Sequence, residues 1–189
     1  MYFNILKKAA KEPKRAFLIG KGIILGNFYR QFYNNFSKKV VIGKRLRVNG
    51  KMSIKGPGKV YIGNDVSIGM VTTLWTYSEN AILTIGNNTF LNGTRFACEN
   101  NIFVGNNVIL ADCRIMDTDF HGIYPNNRNI HKTFPIKIED GVWITIECVI
   151  LKGSIIGKGA TVTPKTVING NVPANSLYGS FNGEVLKMF

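Results

Sequence analysis

The sequence predicts an all-β fold: a parallel β-helix of about six coils, preceded by a short helical segment and carrying one long protruding loop. Three observations predict this fold. Aliphatic residues recur every six positions, glycine and asparagine follow them at regular intervals, and the recurrence is interrupted once, between Met116 and Ile138. Hexapeptide repeats of this kind are typical of β-helices, in which each repeat packs against its neighbours.

The six-residue period is the most specific of these observations. From Ile138 onward, the residues at this spacing are all aliphatic and β-branched: Ile138, Ile144, Ile150, Ile156, Val162 and Ile168. Four earlier triplets keep the spacing: Ile42, Val48 and Ile54; Ile62, Ile68 and Leu74; Ile85, Leu91 and Ala97; Val104, Leu110 and Met116. An amphipathic helix needs a spacing near 3.6 and a hairpin strand one of about two. A solenoid explains the period, because three hexapeptide sides close a coil of about 18 residues.

Turn-forming residues follow the first aliphatic position of most triplets. The glycines at this place are Gly43, Gly63, Gly86, Gly105 and Gly157. Pairs such as Asn64-Asp65, Asn87-Asn88 and Asn106-Asn107 come next. Glycine and asparagine adopt the left-handed backbone conformation at low cost, so these residues are predicted to form the corners of the coils.

The amino-acid composition limits the kinds of molecule that the chain is expected to bind. Basic residues outnumber acidic ones, 24 to 11, for a formal net charge of +13. Such a charge attracts a phosphorylated cofactor, an acidic polysaccharide, nucleic acid or a membrane surface. The basic residues are spread along the chain without a nucleic-acid-binding motif, so we predict no nucleic-acid partner. The three cysteines are widely spaced and lack metal-ligand spacing, which indicates reduced thiols, a cytoplasmic location and no metal.

Residues 1–39 form a basic N-terminal segment that is predicted to be helical. Its stretch 16–29 (AFLIGKGIILGNFY) is apolar, but Lys21 interrupts it and it is too short to span a bilayer. No signal peptide is evident. The flanking basic residues are Lys7, Lys8, Lys11, Lys14, Arg15 and Arg30. We expect the segment to pack on the domain or on a neighbouring subunit, with peripheral contact at the inner face of an anionic membrane as the alternative.

The interruption is predicted to be the active-site loop, residues 117–137. It contains both histidines of the chain, two aspartates and two prolines. A histidine of near-neutral pKa can take a proton from an alcohol if a partner fixes its tautomer. We therefore predict His121 as a general base, with Asp117, Asp119 or a backbone carbonyl as its partner. His131 lacks such neighbours in sequence and is interpreted as a surface residue.

Four stretches, taken together with the repeat, carry a family resemblance. They are DTDFHG at 117–122, PIKIEDGVWI at 135–144, VILKGSIIGKGATV at 149–162 and VPANSLYG at 172–179. From about residue 40 to 187 the chain resembles the left-handed β-helix acyltransferases, above all the sugar and polysaccharide O-acetyltransferases. The resemblance implies a left-handed coil over residues 40–189 with a C-terminal cap at 172–189. It also implies a homotrimer with active sites between subunits, and acetyl-CoA as co-substrate.

The resemblance also assigns roles to single residues. His121 takes the catalytic position, Asn92 and Glu99 are implied to bind the acceptor, and Trp143 lines the cofactor cleft. The remaining residues expected at the cofactor are Thr145, Ile146, Thr163, Pro164, Lys165 and Lys187. The sequence departs from the family's small residues at 145–147 and 163–165, where the pantetheine arm would run.

The sequence therefore predicts an acetyl-CoA-dependent O-acetyltransferase acting on a sugar hydroxyl of a glycan or polysaccharide precursor. Two alternatives stay open: an N-acetyltransferase of an amino-sugar nucleotide, and a catalytically silent β-helix scaffold. A zinc carbonic anhydrase on the same scaffold needs three histidine ligands per site, and the chain has two histidines in all.

Overall fold

The structure, a computed structural model, describes residues 12–122, 125–179 and 184–188. It contains a helix, α1 (Pro13–Phe36), followed by short strands. Pro13 suits the first helical turn because its ring fixes φ and it has no N–H to satisfy. No described helix is both long enough and apolar enough to cross a bilayer. Residues 1–11 of the predicted N-terminal segment lie outside the described residues.

The strands follow one another around a three-sided prism. In chain order they are β1 (Val40–Ile42), β2 (Arg47–Val48), β3 (Met52–Lys55), β4 (Lys59–Ile62), β5 (Ser67–Ile68), β6 (Thr72–Thr76), β7 (Ile82–Ile85), β8 (Phe90–Asn92), β9 (Arg95–Cys98), β10 (Asn101–Val104), β11 (Ile109–Ala111), β12 (Arg114–Met116), β13 (Ile136–Ile138), β14 (Trp143–Ile144), β15 (Val149–Ile150), β16 (Ile155–Ile156), β17 (Thr161–Val162), β18 (Val167–Ile168), β19 (Asn171–Val172), β20 (Ser176–Gly179) and β21 (Glu184–Met188).

Every third strand belongs to the same sheet. Sheet A is ordered β1-β4-β7-β10-β13-β16-β19, sheet B β2-β5-β8-β11-β14-β17-β20-β21, and sheet C β3-β6-β9-β12-β15-β18. All pairs are parallel except β20 with β21, which is antiparallel. The described strands thus form six complete coils and part of a seventh, which confirms the predicted β-helix.

Inward side chains stack on their equivalents in the neighbouring coils, with two such residues in each of β1, β4, β7, β10 and β13 and one in each of β16 and β19. The C-terminal inward residue of each strand continues from coil to coil. The column of sheet A consists of Ile42, Ile62, Ile85, Val104, Ile138, Ile156 and Val172. These residues are at most 3% exposed. Coils stack at the strand spacing of about 4.8 Å, so each side chain packs against identical positions above and below. The core is therefore a continuous aliphatic stack.

The predicted core register is wrong by one residue in sheet C at two coils. Phe96 and Ile115, at 1% exposure, occupy the column where Ala97 and Met116 were expected. The corner between sheets B and C is one residue shorter in these two coils, with Gly93 (φ 85°) in one and Asp112 (φ 45°) in the other. A period of six therefore fails wherever a corner changes length.

The asparagine pairs form the corners between sheets A and B, as predicted. The first asparagine of each pair accepts a hydrogen bond through Oδ1 from the corner backbone of the coil before. Asn64, Asn87 and Asn106 accept in this way from the N–H groups of Lys44, Asn64 and Asn87, each at 2.8 Å. The second position has a positive φ, as in Asn88 (φ 55°). Side chain and backbone conformation together explain why asparagine recurs here.

Candidate active site

The long loop, residues 117–135, leaves the prism at the corner between sheets C and A. It separates β12 from β13 and is closed at its base by two backbone hydrogen bonds. The N–H of Phe134 donates to the carbonyl of Asp117 at 3.0 Å, and that of Asp119 to the carbonyl of Lys132 at 3.1 Å. Residues 123 and 124, near its tip, lie outside the described residues.

Contacts with other coils hold the loop against this corner. Lys152 Nζ, one coil further along, lies 2.6 Å from the carboxylate of Asp119. On the opposite side, the ring of Phe120 packs edge-on against Tyr77, with the ring centroids 4.9 Å apart. Phe120 has a positive φ of 62°, a conformation that costs a large side chain energy, so the surroundings must hold it there. The loop therefore presents its residues from a defined position.

Asp117 is fully buried at the start of the loop and organises the corner below it. Its carboxylate accepts hydrogen bonds from the backbone N–H of Glu99 at 2.7 Å and of Asn100 at 2.9 Å. Burial raises the pKa of Asp117, although these N–H donors oppose the shift. Its carboxylate thus positions the backbone of Glu99 and does not reach the imidazole of His121.

Glu99, predicted to bind the acceptor, is engaged within the chain. Thr118 Oγ1 donates to its Oε2 at 2.5 Å, and His131 Nε2 lies 2.8 Å from its Oε1. Partial burial opposes ionisation of Glu99, but the hydrogen bonds from Thr118 and His131 outweigh it and lower the pKa. The hydrogen bond to Glu99 raises the pKa of His131. His131 is therefore not the isolated surface residue that the sequence indicated.

His121 is exposed, and within the described part of the chain its imidazole has no hydrogen-bond partner. Its backbone N–H donates to the carbonyl of Asp119 at 2.7 Å, while the carboxylate of Asp119 is taken by Lys152. The structure thus places His121 and both aspartates on one loop but does not bring the carboxylates to the ring. An open imidazole of this kind can accept a proton from a ligand.

The predicted cofactor residues lie at another corner, between sheets B and C. Trp143, on the outer face of β14, is 49% exposed, and Ile146 in the following turn is 50% exposed. Thr145 is tied down, because its Oγ1 donates to the carbonyl of Val162 at 2.7 Å. Trp143 and Ile146 therefore supply apolar surface open to a ligand.

The next coil repeats this turn with Thr163, Pro164 and Lys165. Lys165 and Glu147 are equivalent residues with φ 60° each, and Lys165 Nζ lies 3.7 Å from the Glu147 carboxylate. The backbone N–H of Lys165 donates to the carbonyl of Ile146 at 3.0 Å. The segments that depart from the family thus form two stacked turns of the same shape. The side chain of Lys187 lies outside the described residues.

The two groups of predicted site residues are not brought together within one chain. Glu147 lies at the corner between sheets B and C and Lys152 lies beneath the loop at the corner between sheets C and A, so the two groups stand at opposite edges of sheet C. Asn92, the other predicted acceptor residue, is half-buried at the end of β8 and lies on the corner between sheets B and C.

Sequence reasoning missed a polar groove beside Asn92. A cavity of about 400 Å³ lies on the outer face of sheet C, lined in part by Arg95, Asp112, Arg114 and Glu147. Arg95 and Arg114 are register partners on adjacent strands, and each alternates with an inward apolar neighbour. That alternation was a usable signal, but the one-residue error in the core register concealed which side chains point outward.

The pair of Glu99 and His131 predicts a pH dependence of stability. The raised pKa of His131 contributes stability that is fully present below its ordinary pKa and is lost as pH rises through the raised value. The lowered pKa of Glu99 contributes stability that is present above its ordinary value and is lost as pH falls through the lowered one. The pair should thus stabilise the loop between these two limits.

Thermal unfolding of the native chain and of His131→Gln across pH 4 to 9 tests this expectation. The difference in Tm should be largest near pH 6, below the ordinary imidazole pKa, and should shrink as pH rises from there through the raised pKa of His131. A difference that stays constant across this range would show that the ion pair does not fasten the loop.

Known proteins resemble this chain in sequence and in fold. No family model matches the sequence. Over 91 residues the chain is 33% identical to a candidate acetyltransferase of Schizosaccharomyces pombe, a match that covers 48% of this chain and 42% of the yeast protein. The matched part therefore spans less than half the length of that relative.

Two solved structures share the coil over most of its length. The polysialic acid O-acetyltransferase OatWY superposes with a TM-score of 0.63 at 26% identity, covering 79% of this chain and 74% of that one. A hexapeptide-repeat acetyltransferase from Vibrio cholerae, VCA0836, solved in complex with acetyl-CoA, superposes with a TM-score of 0.59 at 20% identity, covering 95% and 91%. Repeat, coil and these similarities agree that the chain has the fold of the hexapeptide-repeat acetyltransferases, a left-handed parallel β-helix.

Proposed function

We propose that the protein is an O-acetyltransferase that moves an acetyl group from acetyl-CoA to a hydroxyl of a sugar. The observation that carries this proposal is the exposed imidazole of His121 on a loop held by contacts on both sides. The likeness to a polysialic acid O-acetyltransferase at 26% identity supports the same chemistry.

In the proposed reaction, His121 takes the proton of the acceptor hydroxyl while that oxygen attacks the acetyl carbonyl. Acetyl-CoA supplies the acyl group as a thioester. His121 then returns the proton to the departing sulfur, so the products are an acetyl ester and free CoA thiol. The cysteines do not serve as nucleophiles in this scheme, because all three are buried, and burial raises the pKa of Cys113 to about 12.

The corner between sheets B and C offers the kinds of group that acetyl-CoA would need. Trp143 and Ile146 offer exposed apolar surface to the pantetheine arm, and Lys165 offers a cation to the phosphates. The backbone N–H groups of Thr145 and Thr163 are already used between coils, at 3.2 and 2.9 Å. Side chains, more than these amides, would therefore hold the ligand.

We further propose a homotrimer in which His121 of one subunit faces the cofactor corner of the next. The placement of the two groups at opposite edges of sheet C within one chain supports this arrangement. Residues 125–130 of the loop are exposed and so are available to a neighbouring subunit.

The acceptor is proposed to be an acidic glycan. Arg95 and Arg114 lie side by side in a groove next to Asn92, and guanidinium groups pair well with carboxylates. Asp112 and Glu147 in the same groove would accept hydrogen bonds from sugar hydroxyls. The net charge of +13 would draw an acidic chain towards it.

Release of free thiol from acetyl-CoA tests the function, measured with a panel of neutral sugars, acidic oligosaccharides and amino-sugar nucleotides. Release that depends on an acidic oligosaccharide, with an acetyl ester in the product, is the expected result. Release with an amino-sugar nucleotide, giving an amide, would assign N-acetyl transfer instead. If no acceptor releases thiol and CoA does not bind, the chain is a silent scaffold.

A further inference from the structure

One side of α1 is fixed on the first coil. A Cβ at Gly26 would collide with the carbonyl oxygen of Leu46, so the helix backbone approaches the prism closely at this glycine. Tyr29 and Tyr33 pack against the core, and the side chain of Asn34 bonds both the N–H and the carbonyl of Ile42, at 2.8 and 2.9 Å. The orientation of the helix about its own axis is thereby set.

The opposite side of α1 is apolar and open. Ile24, Phe28, Phe32 and Phe36 follow one another at four-residue spacing and so lie on one face of the helix. Their exposed fractions are 74%, 63%, 48% and 80%, and Phe17 near the start of the helix is 71% exposed. The rings of Phe28 and Phe32 stack with centroids 6.2 Å apart. A contiguous apolar surface that is exposed in this way marks an interaction site.

The charges around this face indicate its partner. Residues 13–36 contain four basic residues, Lys14, Arg15, Lys21 and Arg30, and no aspartate or glutamate. Further lysines follow at 38 and 39 and precede the helix at 7, 8 and 11. An apolar, aromatic face bordered by cations, with Glu12 at the N-cap as the one acidic residue between positions 7 and 39, complements a surface that is apolar inside and anionic outside. A second copy of this chain, itself at +13, does not complement it in charge.

We propose that α1 binds the surface of a membrane that contains anionic lipids. The helix lies in the plane of the interface, with its phenylalanines among the acyl chains and its lysines at the headgroups. Because its other side is packed on β1 and β2, the first coil would face the membrane and the remaining coils would extend away from it. This proposal is independent of the acetyl-transfer chemistry.

Co-sedimentation of the full chain with vesicles tests the proposal, with phosphatidylcholine alone compared with a mixture containing phosphatidylglycerol. We expect binding to the anionic vesicles that weakens with added salt. Exchanging two phenylalanines for serine, in Phe28→Ser/Phe32→Ser, should lower the partition coefficient by at least about tenfold. The matched control Gln31→Ser/Asn35→Ser places serines in the same turns without removing apolar surface, and it should bind like the native chain.

Three results would overturn the proposal: no binding of the native chain to anionic vesicles, equal binding by both double variants, or a smaller oligomer for Phe28→Ser/Phe32→Ser in size-exclusion chromatography. The last result would identify the face as a contact between subunits. Circular dichroism of each variant confirms that the helix is intact. Thiol release with a soluble acceptor should be unchanged in Phe28→Ser/Phe32→Ser, which separates this test from that of the enzymatic function.

Discussion

Replacing His121 by alanine should lower the rate of acetyl transfer by about 10²–10⁴-fold, the usual contribution of a general base. The loss should fall on kcat more than on the KM for acetyl-CoA, because the imidazole is proposed to act on the acceptor hydroxyl. His121 is exposed and its ring has no partner among the described residues, so Tm should stay within about 2 °C of the native value. Steady-state kinetics and thermal unfolding on the same sample measure both.

A matched variant sharpens this prediction. His131→Ala removes the other histidine of the loop and should destabilise the loop through Glu99 with a smaller loss of rate. If His131→Ala is the more damaging of the two, the base has been assigned to the wrong histidine.

Co-expression tests the proposed site between subunits. Chains carrying His121→Ala and chains carrying Trp143→Ala should each be nearly inactive as pure assemblies. Random mixing in a cyclic trimer would pair an intact His121 with an intact Trp143 in about a quarter of the sites. Recovery of roughly that share of native activity is expected. No recovery from a mixed assembly would place both residues in a single chain's site.

Replacing Phe96 by alanine should destabilise the protein by about 3–5 kcal/mol, the usual cost of removing a buried aromatic ring. Phe96 is 1% exposed and stacks between Leu74 and Ile115 in sheet C. In a stack of coils each repeat contacts only its neighbours, so the cavity would weaken two interfaces at once. Urea unfolding at a fixed protein concentration measures the free energy of unfolding.

Phe103→Ala is the control for this substitution. Phe103 is on the outer face of sheet A and is 39% exposed, so its loss should cost no more than about 1 kcal/mol. Equal costs for the two variants would contradict the core register, in which Phe96 points inward where the six-residue period had placed Ala97.

The fold could be predicted from the sequence because its rule is local and repeated. The column from Ile42 to Val172 requires only that each hexapeptide present one aliphatic side chain, and the asparagine ladder requires only that each coil repeat its corner. The register error at Phe96 has a different origin. Corner length depends on one backbone conformation, such as φ 45° at Asp112, which a periodicity does not encode.

The contacts of the loop could not be predicted from the sequence, because they join residues that are far apart in the chain. His131 meets Glu99 across 32 positions, and Lys152 meets Asp119 across 33. Neither pair follows from a repeat, and proximity in sequence suggested Asp117 and Asp119 as partners of His121 instead. In the structure, the carboxylate of Asp117 points to the corner of the preceding coil. There it accepts hydrogen bonds from the backbone N–H groups of Glu99 and Asn100, which need an acceptor.

The two ends of the prism determine whether the molecule remains a discrete particle. A parallel β-stack ends in strands with unpaired edges, and such edges can recruit another chain and grow into filaments. Here α1 lies across β1 and β2, and β21 turns back antiparallel onto β20. A chain without α1 would offer the edges of β1 and β2 to the next molecule. The helix thus protects the first coil against end-to-end polymerisation, and a helix that also binds lipid would couple that protection to attachment at a membrane.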